Sequence, residues 1–585
     1  MKILLTAINA KYIHTNLAVY SLKAFAKEYR EQIKLTEFTI NHYTDDILQS
    51  IYREKPDFIG FSCYIWNIAV VEELCVELRK LLPEARIWLG GPEVSYDAKK
   101  RLEIAGYADG IMIGEGEETF KELLDYYIAR KGTLHAIKGI VFREDAGVTE
   151  TLPRPAAELD KFPFPYEDIG QFKNKIIYYE SIRGCPYSCS YCLSSVDKRV
   201  RLKSIELVQR ELDLFLSHKV MQVKFVDRTF NCNRLHALSV WRYIKEHDNG
   251  ITNFHFEISA DILDEEELTL LNSMRKGLVQ LEIGVQSTNP ETIKAICRHM
   301  DLGRLSHAVD RISEGNNIHQ HLDLIAGLPY EDYASFRNSF NDVYAMKPNQ
   351  LQLGFLKVLK GSGMLDSCKK FGICYKSVPP YEVLYTDWMS YDEILSLKIV
   401  EDMVETYYNS GQFNYGIKYL EHFFETPFDL YRALGYYYEW KGLKGINHSR
   451  IRRYEILIEF MDEYRNAALR GTYSREALCS ILVHDLFLRE NLKSRPDFAN
   501  DQEQYKIRYR NFYLDEQKLR EYLDGEAAGA RIAQLKQYLH LEHFDIDVRR
   551  TAETGTAAKA DQFVLYDYRH KDPLNSEART MLVRL

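Results

Sequence analysis

The sequence contains no uninterrupted apolar run near the ~20 residues that a bilayer-spanning helix needs, so no membrane partner is expected. It has no excess of basic charge either. The net charge is −9 over 585 residues, which gives no ground for expecting nucleic acid as a partner. The opening stretch, MKILLTAINAKYIHTN, has too short an apolar segment for a secretory signal and reads as a first buried strand. Cysteine is sparse. Of the ten, Cys63, Cys75, Cys232, Cys297, Cys368, Cys374 and Cys479 are scattered, which argues against a disulfide framework and predicts a reducing, cytoplasmic setting. What remains is the composition of an ordinary globular chain, long enough for about two to four domains.

In the first 150 residues, apolar runs of strand length alternate with helical patterns. The strands are KILLTAI, IKLTEFTI, DFIGFSCY, ARIWLGG and ADGIMIG; NLAVYSLKAFAKEYR and NIAVVEELCVELRKLL are helical. Such alternation predicts a doubly wound parallel sheet, whose ligands bind outside the carboxyl ends of the strands. The loops there are SCYIWN, GGPEVS and GEGEETF. Their candidate binding residues are Ser62, Tyr64, Trp66, Asn67, Gly90, Gly91, Glu93, Gly114 and Gly116, the glycines because they let backbone approach a ligand. Taken singly, each loop also reads as a tight turn opening a helix.

Together, IGFSCYIWN, WLGGPEVS and DGIMIGEGEETFKELL resemble the cobalamin-binding domain found ahead of a radical S-adenosylmethionine (SAM) barrel. The resemblance implies cobalamin as a cofactor. One departure matters: the Asp-x-His-x-x-Gly frame that supplies a histidine to cobalt is absent, and INAKYIHTNLAV stands in its place. His14 is therefore expected to be an ordinary satisfied or solvent-facing histidine, with no protein histidine on the lower face of the cofactor.

The stretch TLPRPAAELDKFPFPYEDI holds Pro153, Pro155, Pro163 and Pro165, a density that prevents helix and predicts an extended linker over 151–172. A strand, IIYYESI, then runs into RGCPYSCSYCLSS, which puts Cys185, Cys189 and Cys192 in a C-x3-C-x2-C spacing. Zinc would want a fourth ligand, and no C-x2-C or H-x3-H follows nearby. An iron–sulfur cluster is also held by thiolates. Three cysteines can hold a [4Fe–4S] cube and leave one iron open, which suits catalysis better than a structural role. With Tyr191 directly before the last cysteine, the motif resembles the signature of radical SAM enzymes, which implies that the open iron takes SAM and that the three cysteines are catalytic metal ligands.

Over 173–365, six strand candidates alternate with helices: IIYYESI, VMQVKFVD, NFHFEIS, LVQLEIGVQS, IHQHLDLIAGLP and NQLQLGFLKVL. This pattern predicts a partial (β/α)6 barrel with functional residues at the strands' carboxyl ends. By resemblance, FVDRTFN is the segment that meets the SAM amino group, through Asp227. EIGVQS lies near its ribose and carboxylate, through Glu282 and Gln286, and LIAGLP lines the adenine. Glu257 ends the third strand. Each of these residues also reads as polar capping of a strand end.

From 366 to 585 the pattern is mostly helical, with Gly411 as a helix stop. YKIRYRNFYL, QYLHLEHFDI and QFVLYDYRHK alternate like strands of a small final module. The region resembles an uncharacterised, DUF4080-like domain attached to cobalamin-type radical SAM proteins. Lys441, Lys444, Arg450, Arg452 and Arg453 read as a solvated face, with an anionic substrate as the alternative, and the many tyrosines read as core. The fold class expected is thus α/β: a Rossmann-like cobalamin sheet, a radical SAM barrel and a mostly helical C-terminal domain. The resemblance implies a cobalamin-dependent radical SAM enzyme that methylates an unactivated carbon or phosphorus, with a flavodoxin- or ferredoxin-type reductase supplying electrons. The alternatives are radical rearrangement, cyclisation or oxidation without methylation, or an iron–sulfur redox protein with a vestigial cobalamin domain.

Overall fold

The strand β1 (Ile3–Asn9) is buried along its whole length, as a strand must be when helices cover both faces of its sheet. With β2 (Ile33–Thr39), β3 (Phe58–Ser62), β4 (Arg86–Gly90) and β5 (Gly110–Met112) it forms a parallel sheet in the order β2-β1-β3-β4-β5. Leu4, Ile59, Ile87 and Ile111 pack on one face with Ile47, Val71 and Leu74 from two helices. Ile3, Leu5, Phe58 and Trp88 pack on the other with Val19, Phe120 and Leu124. Strand order reverses between β1 and β3, and the crevice at their carboxyl ends is the place for a ligand on such a sheet. The doubly wound expectation is borne out. An antiparallel pair that the sequence reading did not include, β6 (Ile140–Glu144) and β7 (Gly147–Glu150), extends the edge beyond β5.

Residues 151–172 form no regular element beyond two short turns, Leu159–Lys161 and Ile169–Phe172. They are nevertheless packed. Phe162 meets Phe25 at 5.7 Å, Tyr166 and Phe172 meet Tyr20 at 5.4 and 5.2 Å, and Phe164 meets Phe215 at 5.4 Å, so aromatic side chains wedge the segment between a helix of the first sheet and a helix of the next.

The second parallel sheet begins with β8 (Ile176–Tyr179). A short antiparallel pair, β9 (Ile182–Arg183) and β10 (Arg201–Leu202), closes the cysteine segment into a hairpin-like loop. Then follow β11 (Gln222–Phe225), β12 (Asn253–Ile258) and β13 (Val279–Gln286), paired in parallel in the order β8-β11-β12-β13. Burial alternates along β13: Val279, Leu281, Ile283 and Val285 are buried, while Gln280, Glu282 and Gly284 are only half-buried. The opposite face is therefore polar, unlike β3 of the first sheet, which is buried at every position.

The computed structural model describes residues 1–464, 470, 471, 473–523 and 532–585. They form two compact units: Met1–Ile318 with Gly327–Asp332 and Phe355–Ser390, and His319–Ala326 with Tyr333–Gly354 and Tyr391–Leu585. The two remaining strands of the expected barrel are β14 (His319–Ala326) and β15 (Gln350–Phe355). The first unit also holds the small pair β16 (Cys374–Tyr375) and β17 (Val383–Tyr385). The second unit is mostly helical, from Tyr391–Met403 to Arg475–Arg489, and ends in the antiparallel sheet β18 (Leu539–Ile546), β19 (Lys559–Lys571) and β20 (Ala578–Val583). Gly411 has the left-handed conformation, φ +60°, just past Val404–Asn409, the helical segment that continues the first of these helices.

One expected strand is a helix. YKIRYRNFYL forms Lys506–Leu514, because the rings that pack inward, Tyr505, Tyr509, Phe512 and Tyr513, follow helical spacing while Ile507 is exposed. The apparent alternation of apolar residues there does not match which side is buried. Tyr407, Tyr419, Tyr431, Tyr454 and Tyr566 are fully buried, as core tyrosines should be. Lys441, Lys444, Arg450 and Arg452 pair with nearby glutamates, Glu463, Glu439, Glu490 and Glu459, as a solvated face would. Among the described residues no helix is long and apolar enough to cross a membrane.

Gly91 and Gly114 separate two uses of glycine. Gly91 has φ +116°, and a Cβ there would stand 2.4 Å from the Cys63 carbonyl oxygen; Gly114 has φ +75° with nothing within 4 Å of an added Cβ. Gly91→Ala should therefore cost at least ~2 kcal/mol, from backbone strain plus overlap, and Gly114→Ala only ~1 kcal/mol, from strain alone. Urea unfolding midpoints check this, and equal losses would contradict it.

Candidate active site at the cysteine loop

The loop from Gly184 to Val200 is held at its stem by β9 and β10, where Arg183 lies directly opposite Arg201. Like charges in that register repel. Carboxylates resolve the conflict. Glu115 accepts a hydrogen bond from Arg201 and pairs with Arg183 at 3.4 Å, while Arg183 also pairs with Glu117 at 2.9 Å and Glu180 at 2.6 Å. Burial alone would raise the Glu115 carboxyl, but Arg201 and Arg183 outweigh it and hold the group below the usual carboxylate range. The turn into the loop needs glycine: Gly184 has φ +94°, and a Cβ would meet the Arg199 carbonyl oxygen at 2.2 Å. Farther round, Ser190 N donates to Ile296 O and Ser190 O accepts from Met364 N, so neighbouring segments clamp the loop.

All three thiols of the loop are free, Cys185 and Cys189 buried and Cys192 half-buried. Among the described residues no three His, Cys, Asp or Glu side chains stand close enough to hold one metal ion. Thiolates on a single zinc would stand only about 3.8 Å apart, by tetrahedral geometry at a Zn–S bond of ~2.3 Å. Three thiols on one loop in a C-x3-C-x2-C spacing fit a cluster of several irons, which spaces its thiolates wider than a single zinc does. Burial raises the Cys189 thiol pKa, and Arg298, whose Nη1 lies 3.9 Å from Cys189 Sγ, opposes the shift.

Arg298 is a residue that the sequence reading missed. Its guanidinium donates to Tyr191 Oη at 3.3 Å and to the Gly284 carbonyl, joining the cysteine loop to the end of β13. Only its place soon after the β13 strand end hinted at this. At the same strand end, Gln286 is 8% exposed with φ +73°, and its Oε1 is a buried acceptor with no hydrogen-bond partner. An orphaned acceptor beside the cysteine loop fits a polar ligand such as a SAM ribose. A cleft of about 640 Å³ adjoins this point, lined by Tyr187, Asp261, Thr288, Lys294 and Arg298 among others.

Glu257 and Glu282 face each other across β12 and β13 on the polar side of the sheet. Lys224 bridges to Glu282 at 2.8 Å, His255 Nε2 stands 3.0 Å from it, and Arg228 lies 3.8 Å from Glu257. Burial would raise the Glu282 carboxyl, yet His255 and Lys224 hold it well below the usual range.

Asp227 requires a correction. Expected to meet a ligand ammonium, it is 0% exposed and accepts hydrogen bonds from Ser181 N at 2.8 Å, Ile182 N at 2.9 Å and Ser181 Oγ. Ser181 Oγ in turn lies 3.0 Å from His236 Nε2. The carboxylate is spent on fixing the turn between β8 and β9. Burial pushes it up to about 7 despite its three donors.

Two loop residues of the first sheet are corrected in the same way. The Asn67 side chain accepts from Tyr64 N at 2.8 Å and donates to Ile8 O and Ser62 O, so it staples its own loop to β1. Glu93 is 6% exposed and accepts from Tyr381 Oη, with Arg101 and Lys360 each at 3.5 Å. Ser62 is buried and reaches Asn16 Oδ1 at 3.4 Å. Tyr64 and Trp66 stack face to face at 4.4 Å, with Trp66 43% exposed at the crevice between β1 and β3 and its Nε1 donating to Ile8 O. Gly90 packs against Met112 and Gly116 against Leu22. His14 is a satisfied histidine: Nδ1 stands 2.8 Å from Tyr178 Oη, and burial lowers its pKa.

Comparison with known proteins finds three family models in succession: the B12 binding domain over residues 3–124, the Radical SAM superfamily over 179–343, and a protein of unknown function, DUF4080, over 369–566. A cobalamin-dependent radical SAM methyltransferase, TokK of Streptomyces tokunonensis, is 26% identical over 313 residues, 49% of this chain and 45% of that protein. An anaerobic magnesium-protoporphyrin IX monomethyl ester cyclase of Cereibacter sphaeroides is 28% identical over 344 residues, 54% of this chain and 55% of that one. The chain spans about half the length of the curated relatives it matches. The cobalamin-dependent SAM radical enzyme OxsB, solved with aqua-cobalamin bound, shares the fold with a TM-score of 0.59 at 14% identity, over 88% of this chain and 84% of that one.

The Asp227 geometry makes a prediction. Asp227→Asn keeps an oxygen for the Ser181 and Ile182 amides and should be nearly neutral, whereas Asp227→Ala strands two buried donors at roughly 1–3 kcal/mol each. The fold holds the Asp227 proton to about pH 7, while an unfolded chain releases it near ~3.9. A carboxyl raised in this way favours folding fully below the unfolded pKa and loses that contribution as pH rises. Wild-type stability should therefore fall relative to Asp227→Asn as pH climbs from about 4 to about 7. Denaturant midpoints across that range check both statements; parallel pH profiles would refute the second.

Proposed function

We propose that this chain, in which a B12-binding domain, a radical SAM segment and a DUF4080 segment follow one another, is a cobalamin-dependent radical SAM enzyme that methylates an unactivated carbon, or phosphorus, of its substrate. The observation that carries this reading is the loop with three free thiols, beside the orphaned Gln286 acceptor. When bound, the [4Fe–4S] cluster and SAM supply a 5′-deoxyadenosyl radical and cobalamin relays the methyl group. Cys185, Cys189 and Cys192 donate the thiolates. Arg298 fixes the loop against β13 and sets positive charge beside Cys189. Gln286 would accept a hydrogen bond from bound SAM, and Glu282 and Glu257 line the polar face of the same strands. Tyr64, Trp66, Gly90, Gly91, Gly114 and Gly116 form the cobalamin side, with Ser62 behind them. His14 stands outside the Asp-x-His-x-x-Gly frame, and its Nδ1 is engaged by Tyr178 Oη at 2.8 Å, so the cobalamin side is read as one without a protein histidine on cobalt.

The radical step needs an external electron, for which a flavodoxin- or ferredoxin-type reductase is the partner, and a reducing, cytoplasmic setting suits ten free cysteines. The cyclase relative favours a second reading, radical cyclisation or oxidation without methyl transfer. A redox protein with a vestigial cobalamin domain fits less well with the polar face of β12 and β13.

Anaerobically reconstituted protein should hold about four irons and four sulfides per chain, and reductive cleavage of SAM to 5′-deoxyadenosine should disappear in Cys189→Ala. With methyl-labelled SAM, label should pass to cobalamin and S-adenosylhomocysteine should accumulate. Stoichiometric zinc without sulfide would sink the cluster. Abundant 5′-deoxyadenosine with no S-adenosylhomocysteine, under conditions where product forms, would favour the second reading.

A further inference from the structure

Glu115 and Glu117 belong to GEGEETF, the loop expected to meet a cofactor with its backbone. Their side chains turn the other way, onto the stem of the cysteine loop. Glu115 stands against both arginines, pairing with Arg183 at 3.4 Å and accepting from Arg201. It also accepts from Ala157 N at 3.3 Å, and Arg201 donates back to Ala157 O at 2.7 Å, so the connecting segment is tied into the same knot. Glu117 takes Arg183 at 2.9 Å and is 9% exposed at its side chain. Phe162 caps the assembly, with the Arg183 guanidinium 4.9 Å from its ring centroid. Beside these contacts Gly114 leaves its backbone open, with nothing within 4 Å of where a Cβ would sit.

We infer that Arg183 and Arg201, bridged by Glu115, are positioning residues that couple the cysteine loop to the Gly114–Glu117 loop, so that occupancy of the cobalamin side and of the cluster side favour each other. The inference rests on the functional reading above. The physical reason is the cost of ordering two loops. Arg183 and Arg201 repel across β9 and β10; Glu180 and Asp197, on the cysteine segment itself, relieve part of this at 2.6 and 3.3 Å, and Glu115, set against both arginines, relieves more of it when the Gly114–Glu117 loop is in place. A ligand that fixes either loop pre-orders the other, and the second ligand then binds with less entropy to lose. Such coupling is reciprocal: the factor by which a cluster tightens cobalamin is the factor by which cobalamin tightens the cluster side. Arginine suits the stem because its planar fork reaches two carboxylates at once, which lysine does not.

The test is the affinity for hydroxocobalamin, read by its visible spectrum, in full-length protein with and without the reconstituted cluster. In the wild type the cluster should tighten binding by about fivefold or more. In Glu115→Gln, which keeps the shape of the side chain and removes its charge, that ratio should fall to near one. Amide hydrogen exchange gives a second readout: hydroxocobalamin added to cluster-free wild type should slow exchange over residues 183–201, and should not do so in Glu115→Gln. Glu118→Gln, which changes a carboxylate paired with Arg154 instead, should behave as wild type. Should Glu115→Gln fail to fold, Arg201→Lys replaces it and should lower the ratio. A wild-type ratio of one with both cofactors bound, or an unchanged ratio in the variant, overturns the inference. A wild type that binds neither cofactor would instead overturn the functional reading.

Discussion

Two arginines face each other across the two-residue stem of the cysteine loop, and Glu115 lies against both, with Glu117 and Glu180 also on Arg183 and Asp197 also on Arg201. Much of the site follows from that contact. It fixes where the three thiols begin, ties the proline-rich segment to them through Ala157, and brings a loop of the first sheet to the edge of the second. A buried ion pair is weak as a source of stability, because desolvation offsets most of the attraction. Its value here is register: the shared Glu115 sets both arginines of the stem against the Gly114–Glu117 loop.

The polar face of the second sheet follows the same logic. Glu257 and Glu282 are direct cross-strand neighbours, a repulsive pairing, and Lys224, His255 and Arg228 stand around them. In both places like charges are set side by side and balanced by opposite charges from other elements. Such networks restrain the groups they join. A loop or strand end held in this way can present sulfur, amide or carboxylate groups to ligands without first having to order itself.

The sheets were legible because their patterns are strong. Runs such as KILLTAI and DFIGFSCY have no polar face to confuse the reading, and the cysteine spacing is specific. Side-chain roles at strand ends were less legible. Asn67, Glu93 and Asp227 occupy loop positions where a ligand contact and a backbone staple look identical in sequence; only the partners Ile8, Tyr381 and Ser181, distant along the chain, separate the two. Arg298 was hidden for the opposite reason, since its partners Gly284 and Tyr191 become neighbours only once β13 and the cysteine loop are folded. The helix Lys506–Leu514 was misread because tyrosine and isoleucine alternate there by chance while the packed rings follow a helical stripe.

The central claim is that three cysteines hold a cluster with one iron left for SAM. The most direct measurement is electron–nuclear double resonance on the reduced, reconstituted protein with SAM labelled at its amino nitrogen and carboxylate oxygens. Coupling of both labels to the cluster's unpaired spin is the expected result. A reduced cluster whose spectrum is unchanged by SAM, with no coupling from either label, would contradict it.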